Sequence, residues 1–520
     1  MGEDKVSKEK VYTYDTTLRD GTQSANISFS VRDKLQVIDR LDDIAVDYIE
    51  VGFPASNPKD RELFEELKSR KYKNSKIVAF GRTRYKNTSA KKDENLRLLA
   101  ESKTDSVCVF GKSSSLHVEK VIETTLKNNL DMIFDSIEFL KKYFSEVIFD
   151  GEHFFDGFRQ NSEYAVKTLK AAEEAGADWI VPCDTNGGFL PGDVLEILDF
   201  VAKEIKTPLG VHFHNDSGCA VANTIVSVEK IKSVKMVQGT INGYGERCGN
   251  ADLCQIIPNL EIKLKKKCLK EGNLKHLTNL SRFVSEVANQ ISSPHQPFVG
   301  HSAFAHKGGM HVSGVSKISR AFEHIEPEIV GNTRKVLVSE LSGKKSIILK
   351  AKEFGVNLEN DMRKVSEILT KIQNLEHKGY QFEAADGSFE LLVKDIAGAK
   401  SKFFTLESFR VLNEKRADGE MLSEATVKVR INGERIIETG EGNGPVNALD
   451  CALRKAIGSR YPNISKIELA DFKVRVLNEK KGTAAVVRVL IESTDGKKSW
   501  GTIGVSENII EASWEALEDS

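Results

Sequence analysis

The sequence predicts an α/β fold: a (β/α)8 TIM barrel, then a helical linker region, then a C-terminal α+β domain. Three observations predict it. From Val11 to about residue 260, short apolar runs alternate eight times with amphipathic stretches. Strict alternation of that kind gives a parallel sheet, and eight repeats in roughly 250 residues match a closed barrel. The run Ser292-Ser293-Pro294-His295-Gln296-Pro297 then interrupts the pattern with the composition of a linker. From Ala425 the apolar residues recur with period two, which is the signature of strands.

The barrel strands are expected at Val11–Tyr14, Tyr48–Val51, Ile77–Phe80, Ser106–Phe110, Val147–Phe149, Trp179–Pro182, Gly210–Phe213 and Met236–Gly239. Helical patterns separate them, among them Val31–Ile44, Ile122–Phe144, Glu163–Ala175 and Asp193–Glu204. A doubly wound open sheet is the competing architecture. It would carry a Gly-rich phosphate turn after its first strand, and Gly21-Thr22-Gln23-Ser24 is not one. Residues 260–290 read as a helix with a solvated basic face at Lys263, Lys265, Lys266 and Lys267. Residues 345–420 read as helical and polar, ending in Glu414-Lys415-Arg416-Ala417-Asp418-Gly419. The expected division is therefore 1–290 for the barrel, 291–420 for the linker subdomains and 421–520 for the last domain. In that domain Thr426–Ile431, Glu434–Thr439, Phe472–Val476, Ala484–Ile491 and Lys498–Gly504 read as strands, Asn447–Ala456 and Glu507–Glu515 as helices. Asn432-Gly433 is a two-residue hairpin signal between the first two strands.

Composition excludes several classes of function. Lys and Arg total 75 against 76 Asp and Glu. Neither sign has an excess to offer a polyanion, so no nucleic-acid partner is expected, and no membrane partner. Seven cysteines are dispersed without a C-x-x-C pair, which fits reduced thiols and a cytoplasmic location. Met1–Lys10 is charged and has no apolar h-region, and no run of eighteen apolar residues occurs.

In a parallel barrel the active site forms at the carboxyl ends of the strands. The first strand runs into Asp15-Thr16-Thr17-Leu18-Arg19-Asp20-Gly21, an acidic, basic and hydroxyl cluster closed by glycine. The seventh ends in His212-Phe213-His214, and residues i and i+2 of a strand point the same way. Both histidines then reach one ion, and Asp20 would complete a face of two histidines and one carboxylate with open positions. That set suits a divalent ion such as Zn, Mn, Mg or Co. Asp184-Thr185-Asn186-Gly187-Gly188, Asp150-Gly151-Glu152-His153 and Gly243–Asn250 add polar loops after strands six, five and eight. Glu246 or Asn250 would face the ion.

These motifs carry a resemblance. Asp15–Gly21, His212-x-His214 and Gly245-Glu246-Arg247-x-Gly249-Asn250 are similar to those of the 2-isopropylmalate synthase/homocitrate synthase/citramalate synthase family, enzymes of the DRE-TIM metallolyase type. Phe304–His311 resembles the family's linker, and the C-terminal module resembles its amino-acid-binding regulatory domain. The wording of Asp150–Gly157 and Gly504–Trp514 is most similar to the citramalate synthases. The resemblance implies condensation of acetyl-CoA with a 2-keto acid, pyruvate in that branch, followed by thioester hydrolysis. It also implies that Asp20, His212 and His214 bind the metal with Asn250 close by or coordinating through water. Arg19 would polarise the keto oxygen, Thr185 would hold the substrate carboxylate, and Glu152 would stand near both. His311 is the candidate base or its assistant, with Glu152 as rival. The chain departs from its relatives in one place: the linker has no tyrosine shortly before Ser342-Gly343-Lys344, where Gly331-Asn332-Thr333-Arg334-Lys335 stands, which leaves the base's partner unassigned. Phe110, Phe154 and Phe155 are expected to narrow the pocket toward pyruvate. A homodimer with isoleucine as effector is implied as well. The competing readings are a synthase for another keto acid, a retro-aldol lyase on the same barrel, an amidohydrolase and a non-catalytic amino-acid sensor.

Overall fold

The structure is a computed structural model and describes residues 8–520 apart from 341, 400, 478–481 and 483. The first seven residues of the charged N-terminal stretch lie outside the described residues. The chain forms two compact units, Met1–Phe304 with Pro327–Thr333, and Ala305–Glu326 with Arg334–Ser520.

The first unit is the barrel. Its strands are β1 (Tyr12–Asp15), β2 (Tyr48–Gly52), β3 (Lys76–Arg82), β4 (Ser106–Lys112), β5 (Val147–Glu152), β6 (Trp179–Asp184), β7 (Leu209–Phe213) and β8 (Val234–Gly239). They are parallel and pair in sequence order, and β1 closes the cylinder by pairing with both β2 and β8. Alternation along each strand sends one set of side chains inward: Tyr14, Tyr48, Val78, Phe80, Ile148, Val181 and Met236 fill the interior. At the amino ends of the strands Glu146 accepts hydrogen bonds from Tyr48 Oη, Ser106 Oγ and Trp179 Nε1 at 2.9, 2.6 and 3.2 Å, which ties three strands together away from the site. The surrounding helices start where the sequence caps them. Before Val31–Asp43, Ser30 Oγ accepts from Asp33 N and the Asp33 carboxylate accepts from Ser30 N. That helix buries Leu35, Val37, Ile38 and Leu41 on one face.

In the second unit β9 (Ala305–His306) pairs with β10 (Lys335–Val336), and the helices Lys344–Glu353, Met362–His377 and Asp386–Ala397 enclose Ile347, Val365, Ile368, Ile372 and Phe389. Two antiparallel sheets follow. β11 (Thr405–Lys415), β12 (Met421–Ile431) and β13 (Glu434–Gly442) carry the helix Pro445–Gly458; β14 (Glu468–Val476), β15 (Val487–Thr494) and β16 (Ser499–Ser506) carry the helix Ile509–Asp519. Val427, Val429, Leu449, Leu453, Val489, Ile491 and Trp514 share one core. The turn between β12 and β13 has φ of 50° at Asn432 and 86° at Gly433, as the hairpin signal requires.

Two stretches differ from the sequence reading. Residues 260–290, read as one helix, are helical only up to Lys263 and again from 273 to 287; between them Lys265 takes a φ of 56°, which breaks the helix, and Lys266 pairs with Glu9. The end of the span 345–420, read as helical, contains β11. A register shift between Leu406 and Ser408 breaks the alternation, so Leu406, Phe409 and Val411 face the core without an unbroken period of two. The module is thus two halves of three strands and a helix, and a boundary at 421 falls between the paired strands β11 and β12.

Candidate active site

After β1 the chain turns sharply, and the turn is held from within. The Asp15 carboxylate accepts from Thr17 N at 3.0 Å and Thr17 Oγ1 at 2.7 Å, while Arg19 N and Gly21 N donate to Thr16 O. Arg19 and Asp20 are thereby placed at the carboxyl end of the barrel. Arg19 Nε donates to Glu50 Oε1 at 2.6 Å, and its guanidinium lies over the Phe80 ring, 3.7 Å from the centroid. Glu50 also accepts from Tyr14 Oη at 2.5 Å and Thr16 Oγ1 at 2.6 Å. Burial works against the Arg19 charge, but Glu50 and Asp20 outweigh it and hold the guanidinium firmly protonated.

Asp20 meets the two histidines there. His212 Nε2 is 3.5 Å and His214 Nε2 3.8 Å from Asp20 Oδ2. One ligand atom from each of the three residues lies within 4.8 Å of the others, and all three residues are buried. Burial, then the neighbouring His214, pushes the His212 pKa down to about 4, and burial lowers His214 as well. Burial opposes the Asp20 charge, but Arg19, His212 and His214 hold its carboxyl below the usual range. Two neutral imidazoles beside an ionised carboxylate are the protonation states that ligate a metal.

Asn250 reaches the same place through a loop only glycine permits. Gly249 has φ of 84°, and a Cβ there would lie 2.0 Å from Gly243 O, the carbonyl to which Asn250 N donates at 2.9 Å. Asn250 Nδ2 donates to Tyr244 O at 3.1 Å. Asp20 Oδ1, His214 Nδ1 and Asn250 Oδ1 are buried with no hydrogen-bond partner. The two carboxylate and amide oxygens among these, Asp20 Oδ1 and Asn250 Oδ1, are acceptors of the kind a bound cation would satisfy. Asp20, His212 and His214 form a possible divalent-metal site.

A cavity of about 550 Å³ opens over these residues, lined also by Glu152, Thr185 and Arg247. Thr185 Oγ1 accepts from His153 N at 2.9 Å, which leaves its hydroxyl proton to donate. Glu152 pairs with Lys112. Arg247 donates to both Asp216 oxygens, at 2.8 and 3.0 Å, and to Thr185 O at 2.7 Å, fastening the loop after β8 to the loop after β6. Phe53, Phe80 and Phe110 make the apolar wall, with Phe80 and Phe110 stacked at 5.2 Å.

Two expected residues fall elsewhere. Phe154 and Phe155 are 0 % exposed and are not among the cavity-lining residues. His153, at φ of 56°, turns the chain into the helix Phe154–Gln160, so Phe155 packs on Phe189 and Phe213 and Phe154 on Phe158. Of the three phenylalanines only Phe110 lines the cavity. His311 lies in the second unit, on the helix Gly309–Val315, exposed and stacked on Phe322 at 4.3 Å. Sequence reasoning passed over Glu50 and Gln238. Gln238 Nε2 donates to Asp150 Oδ1 at 3.0 Å, and Gln238 Oε1 lies 3.0 Å from His212 Nδ1. The signal was present: each is a polar side chain two residues after an apolar one that faces the barrel interior, Tyr48 for Glu50 and Met236 for Gln238.

Comparison with known proteins finds matches along nearly the whole chain. Residues 10–284 match the HMGL-like family, 298–380 the homocitrate synthase post-HMGL domain-like family, and 383–520 the LeuA allosteric (dimerisation) domain. An (R)-citramalate synthase of Geobacter sulfurreducens is 51% identical over 98% of this chain and 96% of its own length. Another, of Aquifex aeolicus, is 50% identical over 98% and 97%. A 2-isopropylmalate synthase of Methanocaldococcus jannaschii is 32% identical over 98% and 94%.

Proposed function

The chain belongs to the HMGL-like family and, within it, to the (R)-citramalate synthases, and we propose that the residues at its barrel mouth divide the condensation of acetyl-CoA with pyruvate among them. The reaction joins the acetyl methyl carbon to the keto carbon of pyruvate, transfers acyl as alkyl, and releases (R)-citramalate and CoA for isoleucine biosynthesis. A divalent ion held by Asp20, His212 and His214, with Asn250 beside them, would supply Lewis-acid polarisation of the keto acid, and Mn, Mg, Zn and Co all suit that donor set. Arg19 stabilises the keto oxygen as it becomes an alkoxide; with Nε committed to Glu50, its terminal nitrogens are the donors left for that oxygen. The Thr185 hydroxyl donates to the pyruvate carboxylate. The acetyl methyl is a weak acid and needs a placed base. His311 takes that proton or assists, with Glu152, which lines the cavity, as its rival. Water then cleaves the thioester and the CoA thiol leaves.

The observation that carries this reading is the buried cluster of Asp20, His212 and His214, one ligand atom of each within 4.8 Å of the others, beside a guanidinium locked by Glu50. Thiol release from acetyl-CoA that requires both pyruvate and a divalent ion is the expected result; no pyruvate-dependent release from the metal-loaded protein would refute it. The C-terminal module serves as the dimer interface of a homodimer and takes isoleucine as its effector. The protein works in the cytoplasm, without nucleic-acid or membrane partners.

A further inference from the structure

Inside the barrel, beneath the ligand cluster, sits an amide that none of these steps uses. Gln238 on β8 is 0 % exposed and lies between Asp150 of β5 and His212 of β7. We propose that Gln238 is a positioning residue for the metal centre: it holds His212 as the Nδ1-protonated tautomer, so that Nε2 keeps its lone pair for the ion. This rests on the metal reading given above.

The geometry allows two arrangements of the amide, and its neighbours choose between them. A neutral imidazole has one proton, and the nitrogen that carries it cannot ligate. If the Gln238 amino group faced His212, Nδ1 would have to accept and the proton would sit on Nε2, the atom 3.5 Å from Asp20 Oδ2. Asp150 selects the other arrangement. It is buried, and its Oδ1 takes the Gln238 amino group at 3.0 Å, which turns Oε1 to His212 Nδ1 at the same distance. The two histidines differ here: His214 Nδ1 is buried without a partner, so the orientation of the pair rests on His212. Outer partners of this kind fix ring orientation and raise ligand basicity, and their loss costs about 10–100-fold in metal affinity.

The test titrates the metal-stripped full-length chain with Co²⁺, reading affinity by calorimetry and ligand geometry by the visible d–d spectrum. Asp20→Ala serves as the control for the metal reading and should not bind; a control that binds like the unaltered chain overturns that reading and this one with it. Gln238→Leu fills the same space without an acceptor and should bind Co²⁺ about 10–100-fold more weakly, with an altered spectrum. Gln238→Glu keeps an acceptor opposite Nδ1–H and should bind within a few-fold of the unaltered chain. Wild-type affinity and spectrum in Gln238→Leu would overturn the proposal while leaving the metal reading standing. Should Gln238→Leu fail to fold, ¹⁵N-histidine labelling of the metal-free unaltered chain, with His212→Asn for assignment, still decides. An Nδ1–H tautomer at His212 supports the proposal, and an Nε2–H tautomer overturns it.

Discussion

Arg19 is the residue on which chemistry and structure meet. Its Nε is fixed by Glu50, its face by Phe80, and its charge stands beside Asp20. If Arg19 is the group that meets the developing alkoxide, its removal should lower kcat about 10²–10³-fold, as loss of one such donor does elsewhere. Steady-state kinetics of Arg19→Ala checks this, and an unchanged kcat would remove Arg19 from its role. Glu50 is the complementary case. Glu50→Ala would leave the Arg19 charge and the Tyr14 and Thr16 hydroxyls without their buried acceptor. Breaking a buried pair in this way costs about 3–5 kcal/mol, so denaturant unfolding should show a large loss; wild-type stability would contradict the network. At this scale the sequence showed the ends of the strands far better than their middles. Arg19, Asp20, His212 and His214 were legible because they form short polar motifs after apolar runs. Glu50 and Gln238 were harder to see, because one polar residue in a strand acquires meaning only when the barrel shows what lies opposite.

Among the elements, the eight barrel strands were legible because each is a short apolar run between two helical patterns. Phe154 and Phe155 were misplaced because nothing local announces that His153 adopts φ of 56° and starts a helix at once. β11 was missed because its bulge disrupts the period of two. That strand matters for the regulatory proposal. Its full pairing with β12 means that a truncation at Gly419 would leave β11 without its neighbour. Ending the chain at Gly398 removes both sheets but uncovers the helix Asp386–Ala397, whose Ser388 Oγ donates to Asp519 Oδ2 at 2.6 Å and whose Asp386 accepts from Gly501 N at 3.0 Å, so retained thiol release must first show that the truncated chain folds. Inhibition by isoleucine, measured as the concentration dependence of residual thiol release, should vanish in that truncated chain. Persisting inhibition would place the effector elsewhere.

At the scale of the whole molecule, Arg19 belongs to the first unit and His311 to the second. The sequence set His311 beyond a Pro-rich break, and no local pattern says which barrel it serves. If the second unit of one protomer completes the barrel of its partner, a two-fold dimer makes the exchange reciprocal. Arg19→Ala and His311→Ala should each be nearly inactive, yet co-expression should restore about a quarter of all sites, because half of randomly paired dimers are mixed and one site in each is intact. Activity no higher than the single variants, with mixed dimers verified by differential tags, would exclude sharing.

A barrel that condenses acetyl-CoA with pyruvate must prefer pyruvate to larger 2-keto acids. Phe53, Phe80 and Phe110 wall the cavity beside the ligand cluster. An apolar pocket rejects each added methylene by about 1–3 kcal/mol, so selectivity should be graded and not absolute. Thiol release measured as kcat/KM with pyruvate, 2-oxobutyrate and 2-oxoisovalerate should fall in that order, by roughly tenfold or more at each step. A preference for 2-oxoisovalerate would contradict the account and make the chain a 2-isopropylmalate synthase.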